Sequence, residues 1–365
     1  MQTTILSEIT DLQDYKNLNE RIFTERPLKK SKYTSIAKLE KLLSVAKGKA
    51  DVKSDGTDRI ISLEEALKEM PKTIYKILAK EQKAKDQFEA FINSNFNTSF
   101  VVLIEKNSEK AIHLKINFED KAITKYFIIV KKGVNASLVE EIITKENSLS
   151  NQTIYLEENS VLNHAKTNNF GKNSIAYQQN IIENEATIVN ATIFTEGKLV
   201  RANNFSVLEG RNSKSEGYTF LLSKNEQHFD LNYTAVHRAT DTFSRSIFKG
   251  VLRNSSKNVF DGMILIEPTG FRANAFLECH SIILGEKASS NQIPGLEIKT
   301  DDVKASHSAT VARIDEDELF YLESRGIPKN EAKNMIVKSF MDSVVFMLPE
   351  EIRQPIEFQI EKNMS

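Results

Sequence analysis

A chain of 365 residues, 40% apolar and 27% charged, has an ordinary globular composition and is long enough for two or three structural units around a buried core. Its 49 lysines and arginines are matched by 50 aspartates and glutamates, so no global field holds it on nucleic acid or on an anionic membrane. A single cysteine, Cys279, excludes an intramolecular disulfide, and no stretch approaches the ~18 apolar residues of a spanning helix.

The first ten residues lack the basic-then-apolar pattern of a secretory signal, so a cytoplasmic location is expected. Residues 1–96 are rich in Lys, Glu, Leu and Ala, which predicts a helical N-terminal region. The run Lys29-Lys30 with Lys32 is too short for a polybasic patch and reads as a solvated face. Gly48 to Thr57 is polar and charged, a loop. Ser62 followed by Glu65 predicts a capping box, Pro71 ends that helix, and Thr73 to Phe91 reads as another.

From residue 97 to 311 the helical spacing gives way to alternation. His113 to Phe118, Thr153 to Glu157, Thr187 to Phe194 and Met263 to Glu267 all step in twos. Asn168-Asn169, Glu196-Gly197, Glu209-Gly210 and Asn254-Ser255 read as corners between short strands. Apolar clusters such as Phe127 to Val130 have the length of single buried strands. Such a pattern fits a sandwich, a barrel or a β-solenoid, and the Asn-rich corners without Asn-Gly hairpins favour the solenoid.

Residues 312–365 turn helical again. Asp315 to Glu318 place carboxylates in a first turn, Leu319, Phe320 and Leu322 supply an apolar side, and Gly326 suits the C′ position. Pro328 opens the next helix, along which Ala332, Met335, Ile336, Phe340, Val344 and Met347 form one apolar stripe until Pro349 stops it. That stripe reads first as core packing and second as a face for a partner.

Chemical motifs are scarce. The chain has no phosphate-binding glycine loop, no nucleophile elbow and no His-Glu-x-x-His pair. Of the six histidines, His113 and His164 read as ordinary surface or core residues. Cys279-His280 pairs two soft-metal ligands, but neighbours on a strand point to opposite faces, and a lone Cys is more often a small buried hydrophobe. His307 lies among Ala305, Ser306, Ser308 and Ala309, small neighbours that leave an imidazole accessible.

Around His307 the chain resembles a known family. Asp301-Asp-Val-Lys-Ala-Ser-His-Ser-Ala-Thr310, then Asp317-Glu-Leu-Phe-Tyr-Leu-Glu-Ser-Arg-Gly-Ile327 and Glu331-Ala332, resemble the C-terminal signature of SufB/SufD proteins. Glu226 to Asp230, Phe248 to Leu252 and Val259 to Gly262 resemble the family's central segment. Arg26-Pro27 with Lys32 to Ser35 resemble its N-terminal one, with Ser31 where the family usually has Trp.

The resemblance implies a mainly β fold, a right-handed parallel β-helix flanked by helical N- and C-terminal regions. It also implies a role as a scaffold in iron–sulfur cluster assembly. Expected partners are a SufC-type ATPase and a SufB-type subunit or a second copy of the chain. The ATPase would dock on the C-terminal helices, through Leu319, Phe320, Arg325, Gly326, Met335, Ile336 and Phe340.

SufB-type chains carry a cysteine where this chain has Ala288, and a glutamate after the signature histidine where it has Ser308. SufD-type chains keep the histidine without the glutamate, although many have Cys where this chain has Ala305. The resemblance is therefore to the SufD type. It implies that His307 offers a ligand to iron or to a transient iron–sulfur cluster at a subunit interface. Cys279 is a weaker candidate, and no stably bound cofactor is expected. Two rival readings are a polysaccharide-active β-helix enzyme using Asp230, Asp241 and Asp261, and a purely structural scaffold in which His307 merely packs.

Overall fold

In a computed structural model of the chain, the described residues are 12–25, 34, 39–43, 48–56, 58–81 and 84–364. Lys29, Lys30, Lys32, Arg26, Pro27 and Ser31 lie outside them. In chain order the N-terminal elements are α1 (Leu12–Glu25), β1 (Ala50–Ser54), β2 (Arg59–Ser62), α2 (Leu63–Glu69), α3 (Pro71–Lys80) and α4 (Gln87–Asn95).

The expected capping box holds: Glu65 N donates to Ser62 Oγ at 3.1 Å and Ser62 N donates to Glu65 Oε2 at 2.8 Å. Two local expectations are corrected. The segment read as a loop contains β1, whose residues pair antiparallel with Lys115, Ile116 and their neighbours. The helix expected over Thr73 to Phe91 is two helices, because the Asp86 carboxylate accepts from Glu89 N and starts α4 afresh.

Sixteen strands follow: β3 (Thr98–Ile104), β4 (Ile112–Phe118), β5 (Ala122–Val130), β6 (Asn135–Thr144), β7 (Ser148–Leu156), β8 (Val161–Asn169), β9 (Asn173–Ile182) and β10 (Thr187–Phe194). They continue as β11 (Leu199–Leu208), β12 (Lys214–Ser223), β13 (His228–His237), β14 (Phe243–Leu252), β15 (Lys257–Ile266), β16 (Asn274–Ile283), β17 (Ser289–Ile298) and β18 (Lys304–Arg313). Even strands build sheet A and odd strands build sheet B, each strand pairing parallel with the next but one along the chain. This is a β-solenoid of about eight turns, with the antiparallel strands β1 and β2 laid across its first turn.

The corners account for the asparagines. Positive φ occurs at Asn159, Asn212, Asn225, Asn254 and Asp241, all at corners, where short polar side chains tolerate the left-handed region. Gly210 answers a different need, since a Cβ there would lie 2.0 Å from Asn184 N in the corner stacked beneath it. Asn168-Asn169 proves to be the end of β8 rather than a corner.

Inside the solenoid, inward residues of the two sheets meet across the core, as with Phe248 of sheet A on Phe260 of sheet B at 4.3 Å between ring centroids. Each such ring contributes about 1.5–3 kcal/mol through burial. Both sheets also carry a helical layer outside. On sheet B, Ile74, Ile77, Phe88 and Ile92 pack against Leu103, Phe127, Ile129 and Tyr155. Lys125 pins this layer from the sheet, donating to both Glu81 oxygens at 2.9 and 3.0 Å.

The C-terminal elements are α5 (Glu316–Ser324), α6 (Lys329–Val345) and α7 (Glu350–Lys362). Val337, Met341 and Val344 of α6, with Ile352, Ile356 and Ile360 of α7, cover Ala191, Ile193, Phe220 and Val251 on the outside of sheet A. Gly326, at φ +88, closes α5 as expected. Pro328 caps α6 instead of opening it, and Pro349, expected to stop α6, also caps α7, which lies within the region expected to be helical.

Candidate functional site

His307 lies on the last strand, β18, which among the described residues has a neighbour on one side only. Its register partner is Leu277, and the flanking pairs are Ala275 with Ala305, Cys279 with Ala309 and Ser281 with Val311. Ala275, Leu277 and Cys279 belong to the solenoid interior. Period-two alternation therefore puts Ala305, His307, Ala309 and Val311 in the inward columns. No further turn among the described residues covers them, so His307 is exposed and Val311 is 44% exposed.

The end of sheet B is equally bare. Ile293, Leu296 and Ile298 of β17 are 36–42% exposed. Pro294, without an N–H, sits in that edge strand, where a proline is tolerated. The solenoid thus ends in two unpaired strand edges, an apolar rim and one imidazole. Unpaired edges of this kind are templates for adding another chain.

Cys279 and His280 point to opposite faces, as their adjacency requires. Cys279 is fully buried, and burial together with the Glu278 charge pushes its thiol up to about 12, so it stays protonated and is poorly placed to bind metal. His280 faces outward, 3.5 Å from Glu278 Oε2, and Glu278 is the register partner of Ser308. Ala288 is buried at the corner leading into β17. Among the described residues no three His, Cys, Asp or Glu side chains come together as a metal site.

The seven residues expected at the docking face divide into two sets. Leu319 and Ile336 turn toward each other with Ala332 and hold α5 on α6. Phe340 is half-buried beneath the Lys249 ammonium, which lies 4.2 Å from its ring centroid. Phe320, 70% exposed, and Met335, 46% exposed, face outward. The Arg325 guanidinium stacks on Tyr321, next to Gly326.

Asp230 and Asp261 share the outer face of sheet B, where Asp230 is bound by Arg201 Nη1 at 2.9 Å. Asp241 lies beyond the far end of β13, held by Arg272 and Arg211. The three carboxylates do not converge on one groove, which removes the geometric basis for the polysaccharide-cleaving reading.

An ionic cluster inside the solenoid escaped sequence reasoning. Glu140 accepts from Tyr126 Oη at 2.6 Å and Gln152 Nε2 at 2.9 Å, lies 3.0 Å from His164 Nε2, and faces Lys166 Nζ at 3.7 Å. Burial opposes its charge, yet the Lys166 ammonium and the hydrogen bond with His164 hold the carboxyl down at about 2. The available signal was parity: His164, Lys166 and Asn168 share the inward side of β8 with Leu162.

An open-ended parallel β-solenoid, clothed on both faces by helices and carrying an exposed imidazole on its last turn, defines a class of protein that presents residues at an edge. The model of the SUF system FeS cluster assembly SufBD core domain matches residues 113–340. The chain belongs to the SufB/SufD family.

An iron-sulfur cluster assembly SufBD family protein of Synechocystis sp. is 27% identical over 80% of this chain and 65% of its own length. The chloroplastic SufBD family protein ABCI8 of Arabidopsis thaliana is 26% identical over 80% of the chain and 56% of its own length. The iron-sulfur cluster assembly protein SufD of Escherichia coli is 26% identical over 62% of the chain and 55% of its own length. The chain therefore spans less than two thirds of the length of these curated relatives. No helix among the described residues is long and apolar enough to cross a membrane.

Proposed function

We propose that the chain is a SufD-like scaffold subunit of a SUF assembly complex, not itself an enzyme, whose open end joins a SufB-type subunit. The observation that carries this reading is the pair of edges, β17 and β18, unpaired among the described residues, with His307 exposed in one inward column with Ala305, Ala309 and Val311. Strand addition there satisfies both edges and covers the rim, bringing the imidazole to a subunit interface.

His307 offers a nitrogen to iron or to a nascent cluster, the cargo of the complex. Cys279 is buried and protonated, so the thiolates that hold such a cluster come from the partner. Ser308 and Ala288, where SufB-type chains have glutamate and cysteine, leave this chain with one half of a site. A SufC-type ATPase docks on the outward side of α5 and α6, and its ATP-bound and empty states favour different arrangements of the joined solenoids. A second copy of the chain is the alternative partner at the same edges.

Anaerobic purification from native cells, with iron and sulfide measured, tests the assignment. A SufB-type and a SufC-type chain should copurify. Recovery of only paired copies of this chain favours the self-paired form, and recovery of a lone monomer overturns both. His307→Ala should leave the complex assembled while cluster maturation falls by about tenfold or more, at least the loss seen when only a residue supporting a metal ligand is removed. Undiminished maturation would mean that His307 only packs.

A further inference from the structure

One row of corners, leading from sheet A into sheet B, carries an excess of positive charge. Lys198, His228, Lys257 and Lys287 occupy four successive turns at this edge. Strand spacing puts them on rungs about 5 Å apart. Lys41 and Leu42 flank the row, forming a groove of about 810 Å³ with Leu199 in its wall. A second hollow shares Ser255 and Lys287 with it and reaches α6 at Lys333.

Elsewhere on the solenoid, corner cations are answered by the neighbouring turn. Lys131 pairs with Glu157, Lys132 with Glu158, Lys172 with Glu146 and Arg272 with Asp241. In the groove, Lys41, Lys198, Lys257 and Lys287 have no ion pair among the described residues, and Glu226 is the one carboxylate among the described lining residues. Four ammonium groups against one carboxylate leave a net charge of +3 before His228 is counted. Such clustering in a concave wall repels itself and concentrates anions.

We infer that this groove binds a small polyanion of the phosphate class, with Lys198, Lys257 and Lys287 laid along three or more anionic oxygens. The groove follows the corner row and reaches the last turn at Lys287, just before β17, whereas His307 lies on β18; the inference does not depend on the role of His307. Its volume lies within the range of small-ligand pockets, about 300–1,000 Å³. The ligand's source is inorganic polyphosphate or the phosphate chain of a nucleotide, which share this chemistry.

Calorimetric titration of the full chain with sodium tripolyphosphate and, separately, with adenosine triphosphate tests the inference. Binding should weaken as salt is raised. Equal affinities assign recognition to the phosphate chain, and adenosine triphosphate binding about tenfold tighter assigns part of it to the nucleoside. The triple variant Lys198→Gln, Lys257→Gln, Lys287→Gln should weaken binding about tenfold or more. The exposed set Lys106→Gln, Lys110→Gln, Lys362→Gln should leave it unchanged. On the unsubstituted chain, tripolyphosphate should protect the three groove lysines from acetylation, read by mass spectrometry. No heat at about 5 mM of either ligand, no protection, or equal losses in the two variant sets overturns the proposal.

Discussion

At the scale of single residues, the solenoid interior sets how the protein responds to acid. His237 is buried between Thr242 Oγ1 at 2.7 Å and Ser244 Oγ at 2.8 Å. Burial lowers its pKa from 6.5 to about 4. The unfolded chain then binds the proton more readily, so stability falls as pH drops from 6.5 to 4, by up to about 3 kcal/mol at 1.36 kcal/mol per unit. His237→Gln should flatten that stretch of the urea midpoint against pH; an unchanged slope would refute the assignment. Glu140 acts over a lower window. Its carboxyl is held down from 4.5 to about 2, so the stability it contributes is present above pH 4.5 and lost as pH falls toward 2. Glu140→Gln leaves the Lys166 ammonium buried without its charge partner and should cost about 3 kcal/mol at neutral pH. In urea unfolding at a series of pH values, the gap to the unsubstituted chain should close between pH 4.5 and 2. A gap that does not narrow there excludes Glu140 as its source. His164 was legible as a core or surface residue, and its ionic neighbours were not, because parity selects the inward side only once the solenoid is known.

Between residue and fold stand the helices, whose legibility depended on what ends them. Ser62 and Glu65 satisfy each other's backbone N–H groups within four residues, so α2 could be read directly. The division between α3 and α4 turns on Asp86, whose carboxylate caps α4 and also accepts from Tyr177 Oη of the sheet at 2.5 Å, a tertiary contact invisible to periodicity. In α7, Pro349 and Pro355 mimic stop signals. Pro349 is the cap, and Pro355 gives up one helical hydrogen bond, offset by burying Ile352, Ile356 and Ile360 on sheet A. Arg253 clasps the far end of that helix, donating to Asn363 O and Met364 O at 2.7 Å each. Arg253→Ala should therefore lower stability by about 2 kcal/mol and speed amide exchange first in α7; uniform exchange across the molecule would refute a local clasp. The outward residues of α5 and α6 give a complementary test. Phe320→Asp with Met335→Asp alters side chains already in water, so folding should persist while copurification of the proposed SufC-type partner should be lost. Continued copurification would place the docking face elsewhere.

For the whole molecule, the two ends of the solenoid differ. At the N-terminal end, β1 and β2 run antiparallel across the first turn, and β1 carries Lys53 and Asp51 outward, charges that discourage further pairing. At the C-terminal end, β17 and β18 keep their outer edges free, with Leu296, Ile298 and Val311 exposed in what would be the next layer of core. The change back to helical spacing after residue 311 put Lys304 to Arg313 near the end of the strand zone. The free outer edges could not be read from sequence, since only the register shows that no further strand among the described residues pairs there. The polarity also separates assembly from chemistry. Leu296→Lys with Val311→Lys puts ammonium groups into the apolar rim, and each side chain is already more than a third exposed, so the isolated fold should tolerate both. Analytical ultracentrifugation should find the proposed solenoid pair dissociated, with affinity reduced by about 100-fold or more for two charges without partners in an interface. His307→Ala removes one imidazole from the same surface and should keep the proposed pair while losing the proposed cluster ligand. If the double lysine variant still pairs, the open end is not where the subunits meet, and His307 then has no interface at which to meet a partner's thiolates.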